Sequence, residues 1–450
     1  MASPKQNMKG YVMKAFFVRL ILLLAIGIFG PGFLAMPALA QEAEKIKDLQ
    51  RVIDTQQKQL EAQQKQLDEQ KLMMQKLQTQ IEALAKNPDK EAHNAAVEKK
   101  TSVPAPVDKV VTSGGGERIK LAISGQTNRA VNIVDDGKNT DAYFVDNDNS
   151  ESRVRFDGTA RATDDLTIGS TIELTIAPNK AGEVNQNEEE TGDVFEQRIT
   201  EATLTSRRFG KLSLGKGHTA SYGSASQDLS RTDVISYAEI SDTAGGMLFR
   251  QNSDDTLTNV RIVDAFRAWN GLSRKNRVRY DSPTFYGAHL ATSAISDQRY
   301  DAALYWGGQG YGFKAAGAAA FVYPNEDASD FQYDGSFSLL HENTGLNLTL
   351  SAGLVERDNQ GDAQNYYAKA GWRTNFFPFG ETAFGVDYTR SLNLPTGRDE
   401  GYSVGAAAVQ QFENFGTEFY LLYRLHSLDR DVEPSVEDIN VISVGTRVRF

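Results

Sequence analysis

Several spacings in the sequence resemble reactive chemistry, and each lacks a part. Gly210-x4-Gly215-Lys216 has the spacing of a phosphate loop, but Gly217 stands where a Ser or Thr is required. No helical pattern follows, so no helix N-terminus would receive the phosphate. Gly401-Tyr402-Ser403-Val404-Gly405 fits the Gly-x-Ser-x-Gly nucleophile pattern, yet it lies inside an alternating segment rather than at a strand-to-helix turn. His426 and Asp429 offer an acid–base pair with no nucleophile placed beside them. Asp135-Asp136-Gly137 and Asp146-Asn147-Asp148-Asn149 could attract calcium, but an EF-hand geometry is missing. These acids read instead as residues of external loops bridged by divalent ions. There is no cysteine, and the five histidines are too scattered for a short-range metal pair. The expectation is a protein without catalytic residues, cofactor or metal. An esterase or protease built on a barrel is the remaining enzymatic reading.

Other charges could act without any bond being made. Arg153 and Arg155 alternate with Val154 and Phe156, which places both guanidiniums on one face of a strand. Arg373 and Arg424 sit in comparable phases. In Glu418–His426, Phe419, Leu421, Tyr423 and Leu425 share one face, and Glu418, Arg424 and His426 the other. The final segment divides likewise, with Ile442, Val444, Thr446, Val448 and Phe450 opposed to Ser443, Gly445, Arg447 and Arg449.

Segments of this kind dominate residues 117–450. They fall near 118–134, 150–162, 164–177, 194–206, 210–216, 276–282, 285–296 and 299–306, then 310–322, 331–342, 345–357, 363–375, 380–391, 400–412, 414–427 and 437–450. That even number of roughly ten-residue segments suits a transmembrane barrel. The composition allows it: 40% hydrophobic residues and a mean hydropathy of −0.44 are too polar for a helical membrane protein. The net charge of −11 argues against a nucleic-acid partner. Alternate connections are expected to be long and extracellular, the longest running from Gly217 to about Lys275.

The first 116 residues read differently. Lys5, Lys9, Lys14 and Arg19 precede an apolar run and the small-residue pattern Ala38-Leu39-Ala40, as in a signal peptide spanning residues 1–40. From 41 to 116 there is no Phe, Tyr or Trp. Heptads run through 41–86: Ile46, Ile53, Leu60, Leu67, Met74 and Ile81 at one core position, and Leu49, Leu77 and Leu84 at the other, with Gln56, Gln63 and Gln70 between. A coiled coil about 60 Å long is expected, whose amide layers fix register and partner number. Asn87-Pro88 ends it, and residues 87–116 form a flexible linker.

Four stretches make residues 117–450 resemble the general Gram-negative porin family, in the subset that carries an N-terminal coiled coil. They are Gly125-Gln126-Thr127-Asn128-Arg129-Ala130; Ser152–Gly158 with Asp165–Glu173; Phe209–Lys216; and Asn276–Gly287. Phe450 matches the family's barrel-assembly signal. The resemblance implies a sixteen-stranded antiparallel transmembrane β-barrel preceded by an N-terminal α-helical coiled coil. It further implies a homotrimer in the outer membrane, in contact with lipopolysaccharide, with the stalk in the periplasm and able to approach peptidoglycan. The implied function is a passive, water-filled channel for ions and small hydrophilic solutes. In that family the loop after the fifth strand folds inward, and its acids face a ladder of wall arginines. Carried onto this sequence, Arg153, Arg155 and Arg198 form the wall, and Asp228, Asp233, Glu239 and Asp242 (with Asp254 and Asp255) are the loop acids. Opposed charge rows would sort solutes by charge and dipole. Two alternatives stand beside this reading: a plugged barrel tethering the outer membrane to peptidoglycan, and a channel selective for small organic acids.

Overall fold

A computed structural model describes residues 110–111, 119–192, 195–325, 329–358, 361–432 and 434–450. The expected signal peptide, the coiled-coil positions Ile46 through Leu84 and almost all of the linker lie outside the described residues.

The described chain is a closed antiparallel barrel of sixteen strands. In chain order, β1 is Ile119–Asp135, and β2 comes in two pieces, Thr140–Asp146 and Arg153–Arg161. Next come β3 Leu166–Ile176, β4 Phe195–Ser206, β5 Gly210–His218 and β6 Arg274–Asp281. Then follow β7 Ala288–Ile295, β8 Arg299–Gly310, β9 Phe313–Tyr323, β10 Ser329–His341 and β11 Leu346–Arg357. The circuit finishes with β12 Ala363–Phe377, β13 Gly380–Leu392, β14 Glu400–Phe412, β15 Thr417–Asp429 and β16 Ile439–Arg449. Each strand pairs with its sequence neighbour, and β16 closes on β1 from Gln126↔Arg449 to Asp135↔Asn440. Closure leaves no unpaired edge, which is what permits a sheet to cross lipid. Phe450 extends the seam, exchanging backbone hydrogen bonds with Gly125 at 2.9 and 3.0 Å. A stub, Val110–Val111, pairs with Leu121 and Ala122 of β1.

Alternation decides which face meets lipid. On β15, Phe419, Leu421 and Tyr423 are each about half exposed, whereas Glu418, Arg424 and His426 are buried inside. On β16, Ile442, Val444, Val448 and Phe450 point out and Ser443 and Arg447 point in. The Gly210–Lys216 stretch lies within β5, paired on both sides, and Gly401–Gly405 lies within β14.

The expected pattern of long alternate connections is not what forms. At the end of the barrel away from the chain terminus, most links are short, such as 296–298 and 393–399. Two are long: 177–194 and 219–273. The barrel is otherwise a regular meander, so its bulk is concentrated in these two loops. A second departure concerns β2. Thr140–Asp146 pairs with Arg129–Asp135, and Arg153–Arg161 pairs with Ile119–Gln126, so residues 147–152 leave the sheet. This run contains no apolar side chain, so nothing in it could serve the lipid face.

The long loop turns into the lumen. Val234, Ile235, Ile240, Met247, Phe249, Ile262 and Phe266 form one buried cluster with Tyr367, Ala383, Val409, Tyr420 and Leu422 of β12–β15 and with Val145 and Val441. Each such large side chain gains about 1.5–3 kcal/mol from burial. Ion pairs reinforce the contact. Lys369 of β12 binds loop Asp228, and the loop's Ser236 hydroxyl donates to Asp387 at 2.6 Å. Asp387 in turn takes both arms of Arg424 at 2.7 and 2.9 Å. At the mouth, Arg250 pairs with Asp136 at 2.5 Å, so Asp136 is a buried clamp rather than an external cation ligand.

Candidate functional site

The loop packs against one side of the barrel and leaves space on the other. A cavity of about 800 Å³ lies between the loop and β2–β6. Four segments build it: the strand wall, the 147–152 excursion, the 177–192 loop and the long loop.

The wall arginines meet at one carboxylate. Glu173 of β3 accepts from Arg198 at 2.7 Å and Arg155 at 3.2 Å, and Arg153 comes within 3.9 Å. Arg155 also grips Asp157 at 2.7 Å, and Arg198 also pairs with Glu151. Arg198 reaches this point through a β-bulge. Glu173 pairs with Ile199 and Leu174 with Gln197, so Arg198 is the extra residue. Such a bulge re-aims a side chain that strict alternation would send elsewhere.

The excursion supplies the wall's second acid. Gln126 donates to the carbonyls of Ser150 and Glu151 at 2.7 and 2.9 Å, and Asn128 donates to Ser150 at 3.0 Å. These bonds hold Glu151 over Arg198 and Lys180, the latter at 3.3 Å. Further along, Asn147 donates to the Val234 carbonyl at 3.1 Å, and Asp148 accepts from the Gly182 amide at 2.6 Å. The Asp146–Asn149 run is therefore an internal joint between two loops, not a cation-bridging external turn.

The predicted loop acids separate. Glu239 and Asp242 line the cavity. Asp228 does not: it is buried against Lys369, on the packed side of the loop. Asp233 is exposed on the loop but belongs to neither this cavity nor the one below it. Asp254 and Asp255 lie near the mouth, Asp255 facing Lys138 at 3.5 Å. Arg373 holds Glu381 at 2.9 Å, and Arg424 is spent on Asp387.

Neither Glu239 nor Asp242 makes an ion pair with the wall among the described residues. Glu239 accepts from Ser241 at 2.8 Å and from the Ala268 amide at 3.2 Å; Asp242 accepts from the Tyr237 hydroxyl. Burial raises the pKa of Glu239, and burial together with Glu239 and Asp148 raises that of Asp242 well above the carboxylate range. Burial also pushes Asp148 up to about 7, against the pull of the Gly182 amide. Charged forms are disfavoured where solvent is thin. Several cations lining the same cavity make no ion pair within 4 Å among the described residues, although Arg267 and Arg274 act at longer range on Glu239 and Asp242. Arg274 lies 5.5 Å from the Tyr222 ring centroid, Arg267 lies 5.6 Å from that of Trp269, and Lys275 is nearby.

A smaller cavity of about 420 Å³ continues toward the opposite end. It shares Arg155 and His218 with the first and adds Lys211, Arg277, Arg279 and Asp281. Arg277 pairs with Glu201, and Arg279 with Asp281 at 2.6 Å.

Sequence reasoning missed Glu151, Glu173, His218, Tyr222 and Arg274. Alternation could have flagged Glu173, which is in phase with Thr171 and Thr175 inside β3. Glu151 had a weaker signal, the apolar-free run 146–152. Nothing local marks the bulge at Arg198.

Comparison with known proteins agrees with this architecture. The family model for Gram-negative porins matches residues 94–431. Among curated proteins no sequence matches the chain. Solved structures that it resembles include an anion-selective porin from Comamonas acidovorans, with a TM-score of 0.51 and 14% identity over 74% of this chain and 100% of that one. Also similar are OmpT of Vibrio cholerae (TM-score 0.49, 12% identity, 76% and 100%) and the outer membrane channel DcaP of Acinetobacter baumannii (0.48, 12%, 76% and 99%). A closed sixteen-stranded barrel, a loop folded into its lumen and a family match over most of the chain lead to one conclusion: this chain belongs to the Gram-negative porin family and forms an outer-membrane channel.

Proposed function

We propose that the channel passes small hydrophilic solutes through the two cavities beside β2–β6 and prefers anions. The observation that carries this reading is the imbalance across the larger cavity. Arg267, Arg274 and Lys275 line it without a close ion pair among the described residues, while burial holds Asp148, Glu239 and Asp242 toward their neutral forms. Fixed positive charge between low-dielectric walls attracts anions and repels cations. The overall charge of −11 does not oppose this, because charges outside the lumen are screened within about 8 Å at physiological salt. Similarity to the anion-selective porin of Comamonas acidovorans runs in the same direction, at the level of fold.

In this reading Arg153, Arg155 and Arg198 form the basic wall of the constriction, with Glu239 and Asp242 opposite. The end of the barrel that holds the chain terminus faces the periplasm. Three chains assemble, and their 41–86 segments form a trimeric stalk on that side, which their heptad spacing supports.

The test is reconstitution of the mature protein in a planar bilayer under a potassium chloride gradient. Steps closing in threes and a reversal potential of anion sign are expected. A cation sign refutes the charge argument, and an insulating barrel refutes the open path.

A further inference from the structure

His218 ends β5, and Arg274, which opens β6, is its cross-strand partner. The two are therefore neighbours on the wall although 55 residues of loop separate them in sequence. Tyr222 folds back onto this pair. Its ring stacks on His218 with centroids 4.2 Å apart and planes 19° from parallel. Arg274 lies 5.5 Å from the centroid of the same ring and donates to the Tyr222 hydroxyl at 3.3 Å. All three line the larger cavity, and His218 lines the smaller one as well. The stack thus stands where the two spaces meet.

The turn that presents Tyr222 is fastened on every side. The Ala220 amide donates to Ser293 at 2.7 Å, and the Ser221 amide donates to Asp301 at 2.9 Å. Tyr305 donates to the carbonyls of Ala220 and Tyr222 at 2.8 and 3.0 Å, and Arg279 reaches the Thr219 carbonyl at 2.7 Å. Gly271, with φ of 68°, lies against Ser221, where a Cβ would collide. A loop tied so densely at one turn presents a fixed aromatic face.

The arginines of the wall differ in what they can offer a passing ion. Arg153, Arg155 and Arg198 share Glu173, and Arg277 and Arg279 each hold an acid. Arg274 makes no ion pair within 4 Å among the described residues; its close contact is a ring. A Tyr face attracts a guanidinium without cancelling its charge, and it orients the planar group.

We propose that the His218–Tyr222–Arg274 stack sets the charge selectivity of the passage between the two cavities. Arg274 supplies a fixed charge that no close ion pair ties down, and Tyr222 is the positioning residue that keeps it directed into the lumen. The proposal rests on the cavity reading above and names the residue within it that discriminates. It predicts that Tyr222 influences selectivity although it carries no charge.

The experiment compares single channels of the full mature protein and five variants in planar bilayers under a potassium chloride gradient. Folding is checked first by the heat-dependent gel mobility of the barrel. Arg274→Gln is expected to lower the chloride-to-potassium permeability ratio about threefold, the effect of removing one charge at close range in a watery lumen. Tyr222→Leu is expected to lose most of that preference and to add open-channel noise, because the guanidinium is no longer held. Tyr222→Phe keeps the ring and stays near wild type. Wild-type ratio and noise in Tyr222→Leu overturn the proposal. Should that variant fail to fold, Arg274→Lys decides instead: the same charge on a flexible stem raises noise if stacking positions it, and wild-type noise refutes it. The paired variant Arg153→Gln/Arg155→Gln separates the levels. If it moves the ratio and Arg274→Gln does not, the stack is wrong and the cavity reading stands. If neither moves it, both are wrong.

Discussion

The two faces of the long loop obey different chemistry. Toward β12–β15 it is a protein core: Ile262, Met247, Phe249 and Phe266 are fully buried, and Lys369, Asp387 and Arg424 are paired at close range behind them. Toward β2–β6 it lines a cavity, with Glu239, Asp242 and Tyr237 set across it from arginines. The contrast shows how a loop can hold a channel open. One face supplies the free energy that keeps the loop in place, and the other is released to carry charge without also bearing structure.

The strongest way to break this contrast is to unfasten the packed face. Phe266→Ala with Lys369→Ala removes a buried ring, at a cost of about 3–5 kcal/mol, and strands Asp228 without its cation, at a similar cost. The expected result is a larger and noisier single-channel conductance, together with a lower unfolding temperature. Conductance that does not change would mean the remaining contacts hold the loop alone. Next in size is a change on the open face: Arg153→Ala with Arg155→Ala should shift the reversal potential toward cations by a few-fold in permeability ratio, with thermal stability changing little. An unchanged reversal potential would count against their place in the path.

A pH series sharpens the contrast without any mutation. The pKa of Asp148 is pushed up to about 7, and those of Glu239 and Asp242 are also raised. These groups gain negative charge as pH rises through their pKa values, so anion preference should be stronger at pH 5 than at pH 8. Asp148→Asn should flatten the part of the profile near pH 7. A flat profile would show that these acids are ionised throughout, and the opposite slope would refute the charge argument. The smallest effect is expected far from the loop: deleting residues 42–86 should leave the conductance of each barrel as it is and lower trimer stability and cell-wall association. If both of those persist, the stalk proposal fails.

Much of the barrel was legible in the sequence because strand periodicity is a local property. Phe419, Leu421 and Tyr423 alternate with Glu418, Arg424 and His426, and lipid on one side with a polar lumen on the other allows one orientation. The wall residues Arg153 and Arg155 follow from the same alternation, and the long insertion between β5 and β6 is visible as a gap in it. The acids were harder. Asp228 and Asp242 look alike in sequence, yet one is buried against Lys369 and the other lines the cavity. The difference depends on which side of the loop the wall covers.

Tyr420, Leu422 and Tyr367 make the same point from the barrel's side. They lie in the inward phase, where polar residues are expected, and only the loop's apolar face explains them. Strand number, strand phase and the place of the inserted loop were thus determined by the sequence alone, since each follows from residues adjacent in the chain. The interruption of β2 at 147–152, the bulge that turns Arg198 inward and the meeting of His218, Tyr222 and Arg274 were decided by the tertiary structure. Those depend on closing the sheet around a loop, which brings together side chains that no local pattern relates.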